Sequence, residues 1–269
     1  MKLIKKQANV KKWFIKLQNI ICKNIEKIEK DYGSNKKFKK NKWKHGEFRT
    51  IEGEVVEKGG VAFSNVKGKF SKEFAKKIPG TKNSSKFWST GISVVLHLKN
   101  PKLPAMHFNT RFICTQKFWF GGGIDLTPSL IDNKEKKYFH KELKKMCNTH
   151  NKNYYPKYKK WCDEYFYLPH RKEIRGIGGI FFDYKMDNWD KDFLFIKDIG
   201  LTFAKISEII IKKKMFKKWT KKEKEIQLLK RGRYVEYNLL YDRGTKFGLN
   251  SGGNPKAILM SMPPQAKWK

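Results

Sequence analysis

From Val10 to Ile28 the apolar residues Val10, Phe14, Leu17, Ile21, Ile25 and Ile28 recur every three or four positions, with lysines spread between them. That spacing predicts an amphipathic helix with one buried stripe and a basic outer face. Downstream the period changes. A lysine-rich loop from Tyr32 to Lys44 leads into a strand-like tract from Phe48 to Val66, broken by Gly53, Gly59 and Gly60. Gly91 to Leu98 and Met106 to Cys114 are rich in β-branched and aromatic residues and read as strands. Phe118 to Pro128 is glycine-rich and aromatic. Lys134 to Asn148, Tyr154 to Tyr167 and Phe193 to Lys214 have helical character, whereas Gly178 to Tyr184 and Arg233 to Tyr241 read as strands. Strands outnumber βαβ units, so the expected class is α+β, a large and mostly antiparallel sheet flanked by helices. A chain of 269 residues fits one large domain over 1–269, with two small domains as the alternative.

The segment from Gly91 to Cys114 separates its faces most clearly. Its connection, Lys99 to Ala105, holds Asn100-Pro101 and Pro104, which are turn signals. Pairing symmetric about Lys102 sets His97 against His107, Val95 against Asn109 and Ser93 against Arg111. Alternation then places Val94, Leu96, Leu98, Met106, Phe108, Thr110 and Phe112 on an apolar face. Ser93, His97, His107, Asn109 and Arg111 share the other, and a slip of one residue destroys the arrangement. The second face is polar, free of lysine and receptive to anions.

Charge changes the picture less than its size suggests. The net charge is +36, which raises a nucleic-acid-binding reading. The lysines cluster at Lys36 to Lys44 and Lys212 to Lys224, while Gly91 to Leu98 carries no formal charge. A phosphate-tracking groove interleaves basic and aromatic residues on one surface. These lysines fill solvated faces instead, so no specific nucleic acid is expected. Only seven of the 61 basic residues are arginine, which marks positions where a planar fork for carboxylate or phosphate is required. Cys22, Cys114, Cys147 and Cys162 show no paired spacing, which predicts a reducing, cytoplasmic setting. No apolar run is long enough to span a membrane. The N-terminal helix lacks arginine and contains Glu26 and Glu29, which favours a structural element over a transit peptide.

Several longer segments are more specific: Gly91 to His97 (GISVVLH), His107 to Phe112 (HFNTRF), Phe118 to Pro128 (FWFGGGIDLTP), Tyr158 to Arg171 (YKKWCDEYFYLPHR), Arg175 to Asp183 (RGIGGIFFD), Arg231 to Leu249 (RGRYVEYNLLYDRGTKFGL) and Ile258 to Pro264 (ILMSMPP). In this order they resemble the oxygen-dependent coproporphyrinogen III oxidases. The resemblance implies oxidative decarboxylation of the ring A and B propionates of coproporphyrinogen III to vinyl groups, giving protoporphyrinogen IX, carbon dioxide and hydrogen peroxide. Dioxygen is then the oxidant, and no flavin, nicotinamide or iron–sulfur cluster is expected. It implies a homodimer through roughly Tyr234 to Lys269. It gives His97, His107, His140 and His170 metal-ligand positions, and His107 also the proton-donor position. Ser93, Asn109, Thr110, Arg111, Gly252 and Gly253 match substrate-binding positions, while His45 and His150 match none and read as surface residues.

Two propionates must be held while two react. Arg111 suits one as a fork, and Arg233 is a second candidate. Asp183 is either a general base for pyrrole N–H groups or a strand-end turn residue. Trp119 and Phe120 either pack the macrocycle or fill core. Gly252 and Gly253 either let backbone approach a carboxylate or make a plain turn. The histidines either bind a divalent metal cation or donate hydrogen bonds to carboxylates. The chain departs from the family at Asn254, where Gly-Gly-Arg is usual, and at Tyr184, where a second aspartate is common. It also stops at Lys269, short of the family's final helical stretch. Alternatives to the enzyme are a fold-retaining porphyrinogen binder without turnover and a basic nucleic-acid-binding protein.

Overall fold

In chain order, α1 (Leu3–Asp31) leads into β1 (Lys39–Trp43), β2 (Gly46–Ile51) and β3 (Val56–Lys69). A single turn, α2 (Lys72–Ala75), precedes β4 (Lys86–Leu98), β5 (Ala105–Cys114) and β6 (Phe118–Thr127). Next come α3 (Asn133–His150), α4 (Tyr154–Tyr165), the ribbon β7 (Tyr167–Leu168) and β8 (Glu173–Ile174), and β9 (Gly179–Lys185). The chain ends with α5 (Trp189–Lys214), α6 (Lys221–Leu240), α7 (Arg243–Asn250) and α8 (Pro255–Ile258). This computed structural model describes residues 1–250 and 253–269. A seven-stranded antiparallel sheet in the order β1-β2-β3-β4-β5-β6-β9 organises it, so the class is α+β as expected.

The main core lies between one sheet face and α1, α3 and α5. All six stripe residues of α1 are buried, each contributing about 2 kcal/mol of apolar transfer. They meet Val94, Leu96, Met106, Phe108 and Phe112 from the sheet. Glu29 is also fully buried, and its carboxylate accepts the amides of Glu54, Val55 and Val56 at 2.8–3.0 Å. It thereby fixes the entry to β3.

Three expectations need correction. The segment Tyr32 to Lys44 is not all loop: Lys39–Trp43 forms edge strand β1, whose lysines keep the unpaired edge solvated. Arg233 to Tyr241 is not a strand but the end of α6. A capping box of Thr220 and Glu223 starts that helix, and Gln227, Leu228, Arg231, Tyr234, Tyr237 and Asn238 are buried at helical spacing. Half of that stripe is polar, which weakens its hydrophobic period. The β4–β5 register also differs, with Val95 opposite His107, Ser93 opposite Asn109 and Gly91 opposite Arg111. Asn100 tightens the turn, accepting Lys102 N at 3.0 Å and donating to the carbonyls of Lys214 and Lys217. A shift of two residues conserves side-chain parity, so both faces survive it.

Glu29→Ala strands two fully buried amides and a partly buried one. It should lower unfolding free energy by about 3 kcal/mol, read by urea denaturation.

Candidate active site

The other sheet face gathers the expected polar residues. Ser93 and His97 stand on β4, His107, Asn109 and Arg111 on β5, and Asp183 on β9. Across β6, His107 faces Asp125, Asn109 faces Gly123 and Arg111 faces Gly121. Gly123 in turn faces Phe181. Between the charged groups β6 contributes a floor of Gly121 and Gly123 that is buried, with the Arg111–Asp183 pair over Gly121 and Phe181 beside Gly123. A Cβ on Gly121 would lie 2.5 Å from Asp183 Oδ1 and 2.9 Å from Arg111 Nη2. Glycine there lets the Arg111–Asp183 pair reach across β6, with Nη2 donating to Oδ2 at 2.6 Å. Arg111 Nη1 reaches Asn109 Oδ1 at 3.4 Å, a weak contact, so most of its donor fork is uncommitted.

Farther along the same face lies a buried charge chain. His107 Nδ1 donates to Asp125 Oδ1 at 2.9 Å, and Arg175 Nη2 donates to Asp125 Oδ2 at 2.6 Å. Asp125 and Arg175 are 1% and 3% exposed. Burial pushes the Asp125 carboxyl up, but Arg175 and His107 beside it outweigh burial and hold it below the usual carboxylate range. The guanidinium lies 4.1 Å from the Phe166 ring centroid and 4.7 Å from those of Tyr234 and Tyr237. This aromatic cage compensates for the rest of the cation, whose Nε and Nη1 have no hydrogen-bond partner. With Nδ1–H committed to Asp125, the catalytic candidate nitrogen of His107 is Nε2, which makes no hydrogen bond among the described residues. The chain fixes the tautomer and the ring plane.

The four histidines do not assemble into a ligand set. His97 is fully buried, and its Nε2–H donates to the Ser261 carbonyl at 2.9 Å, leaving Nδ1 without a partner. Only about 10 Å³ of space adjoins it, room for one water. Because Val95 opposes His107, His97 is its diagonal neighbour rather than its partner. His140, on α3, has both ring nitrogens in use, at Ile177 O (3.0 Å) and Tyr155 Oη (3.0 Å). The same holds for His170, at Glu236 Oε2 (2.7 Å) and Tyr241 Oη (2.8 Å). Among the described residues no group of three His, Cys, Asp or Glu side chains is placed to hold a metal ion. The donor set present does not fit a four-histidine centre.

Other positions separate likewise. Thr110 stays on the apolar face, 1% exposed, with its hydroxyl unpartnered beneath Gly122. Its strand is paired on both sides, with Ile92 of β4 and Gly122 of β6 opposite Thr110, so the residue offers no free group to a ligand. The Gly253 amide is taken by the Gly248 carbonyl at 2.9 Å, Asn254 caps α8, and Gly252 lies outside the described residues. Arg233 stands on α6, where its Nε pairs with Glu173 Oε1 of β8 at 2.5 Å. Phe120 belongs to the core and Trp119 is equally buried. His150 is largely covered and paired with Asp198, whereas His45 sits half-buried against Trp43. Six of the seven arginines pair with carboxylates of this chain. Their scarcity therefore marks internal forks first and a ligand fork only at Arg111.

Asp125 and Arg175 were missed as site residues. Asp125 is the only charge between Phe118 and Pro128, a signal for a buried acid, and Arg175 is one of the scarce arginines. Glu236 is a third. It accepts hydrogen bonds from Arg171, His170 and Trp268, pinning the C-terminal segment to α6.

The coproporphyrinogen III oxidase family model matches residues 9–269. Proteins named oxygen-dependent coproporphyrinogen-III oxidase from Rickettsia bellii and Rickettsia akari are each 51% identical over 267 residues. The matches cover 95% of this chain and 96% of the relatives.

Asp125→Asn leaves Arg175 as a buried, unpaired cation and should cost about 3 kcal/mol by urea denaturation, part of it recovered by adding Arg175→Met. Burial holds His97 at about 3, below its ordinary value of 6.5. The unfolded chain then takes up a proton that the folded chain refuses between those values. Stability should fall as pH drops below 6.5, by up to about 1.4 kcal/mol per unit from this group. His97→Gln should flatten that slope in denaturation series at pH 7 and pH 5.

Proposed function

Because the chain belongs to the coproporphyrinogen III oxidase family, we propose that it performs the oxygen-dependent oxidative decarboxylation of coproporphyrinogen III. The observation that carries this reading is the single sheet face on which His107, Asn109, Arg111 and Asp183 surround the glycine floor of β6. The carboxylates of a propionate-bearing macrocycle need a fork and neighbouring hydrogen-bonding groups on one surface. Arg111 supplies that fork with its free donors, and Ser93 and Asn109 add neutral hydrogen-bonding groups along the same face.

In each half-reaction a ring propionate becomes a vinyl group. The β-carbon gives up a hydride equivalent, the carboxylate leaves as carbon dioxide, and the electron pair of the broken C–C bond forms the new double bond. Dioxygen, the co-substrate, takes two electrons and two protons and leaves as hydrogen peroxide. His107, held in place by Asp125 and Arg175, takes up a proton on the open Nε2 and passes it on from the imidazolium. Asp183 already accepts from Arg111 and from the Tyr184 amide, so a pyrrole N–H must use one of its remaining lone pairs. No step is assigned to a metal, because the histidines at the family's ligand positions have separate partners.

The reading extends to a homodimer through roughly Tyr234 to Lys269, where Leu239, Leu240, Leu249 and Trp268 are exposed apolar surface. It also places the chain in the cytoplasm as one domain over 1–269. Four free, buried cysteines suit a reducing compartment, and among the described residues no helix is long and apolar enough to cross a membrane.

Aerobic incubation with coproporphyrinogen should yield divinyl product and peroxide, and anaerobic incubation none. Equal binding without product in air would favour a binder that has lost turnover. His107→Ala should lower kcat by about 100-fold or more. Gly121→Ala should lower kcat/KM at least about tenfold by displacing the Arg111–Asp183 pair. Metal-stripped protein should keep its rate; loss on stripping, restored by one divalent ion, would overturn the metal-free assignment.

A further inference from the structure

Strand β9 breaks its alternation next to the proposed substrate site. Phe182 faces Gly122 and Lys185 faces Phe120, so two residues, Asp183 and Tyr184, oppose Gly121 alone. This is a β-bulge, and its second residue lies in the left-handed region, with Tyr184 at φ 53°. Among the described residues only Lys172 shares this non-glycine conformation, and it sits in the exposed β7–β8 turn. For a bulky aromatic residue this backbone is unfavourable, and glycine would adopt it at lower cost. Backbone geometry therefore does not account for a tyrosine here.

The bulge does two things. It turns the Tyr184 amide back onto Asp183 Oδ1 at 3.0 Å while Oδ2 accepts from Arg111 at 2.6 Å, which fixes the carboxylate plane. It also sets the tyrosine ring against Trp119, with centroids 5.7 Å apart and planes tilted by 33°. Trp119 is 1% exposed, whereas Tyr184 is 37% exposed. Tyr184 is thus the outer member of an aromatic pair at the margin of the glycine floor, and its hydroxyl makes no hydrogen bond among the described residues.

We infer that Tyr184 is a substrate-contacting specificity residue, whose ring packs the apolar face of the macrocycle held at Arg111. That contact gives a physical reason for an aromatic side chain at a strained position. The inference rests on the assignment of Arg111 and Asp183 to the substrate site. It adds a wall of the pocket that the polar residues do not supply.

The test uses coproporphyrin III, a planar and air-stable relative of the substrate, titrated by absorbance into the full-length protein and its Tyr184→Phe, Tyr184→Ala and Tyr184→Gly variants. The phenylalanine variant should bind like the parent. The alanine and glycine variants should each bind about fivefold more weakly, with KM for coproporphyrinogen raised by a similar factor. Because those two differ only by a Cβ in a left-handed conformation, glycine should melt about 3 °C above alanine. Unchanged affinity in both would remove the ring from the site, and equal melting would remove the strain argument. Failure of the parent protein to bind the porphyrin would instead sink the assignment of the site, and this inference with it.

Discussion

The buried contact between Arg175 and Asp125 organises this molecule. A cation and an anion removed from water at 2.6 Å persist only if both find further partners, and each partner here comes from a different part of the chain. Asp125 on β6 reaches His107 on β5. Arg175, just beyond β8, lies among the rings of Phe166, Tyr234 and Tyr237, which belong to the end of α4 and to α6. The pair therefore couples the sheet to the layer covering its polar side. The same contact sets the orientation of the imidazole that faces the site.

Around that clamp, the two faces of the sheet serve opposite ends through one device, the two-residue period of an extended chain. Val94, Leu96, Phe108 and Phe112 point into the core beneath α1, α3 and α5. Their neighbours in sequence point to the site. Glycine enters where side chains would collide: at Gly121 the arginine and aspartate of flanking strands meet over the backbone between them. The bulge at Tyr184 follows from the same crowding, since it lets Asp183 meet Arg111 while Lys185 returns to the core side beside Asp192. Ligand recognition and core packing are thus set residue by residue along the same strands.

Cation chemistry divides by type. Lysines form the solvated faces and the lining of an open cleft of about 820 Å³ along α3, where Lys137, Lys141, Lys144 and Lys145 stand near His140 and Tyr155. Arginines are used where a rigid fork must satisfy a carboxylate, mostly within the protein. A histidine is likewise defined by its surroundings. His97, His140 and His170 each act as a structural link between segments, whereas His107 keeps one nitrogen open.

The sequence by itself determined the first helix, the alternation of the central hairpin and the separation of its polar and apolar faces, because these depend on local periods. It also determined that Arg111, Asn109 and His107 share a surface, since any register of the same parity gives that result. It did not determine the register, which Asn100 sets through carbonyls more than a hundred residues away. It misassigned α6, whose buried stripe of Gln227, Arg231 and Asn238 carries too little hydrophobic contrast to show a helical period. Tertiary structure alone decided which histidines meet, that Thr110 stays in the core and that Asp125 rather than a second histidine partners His107. Those outcomes rest on contacts between distant segments, for which spacing along the chain has no signature.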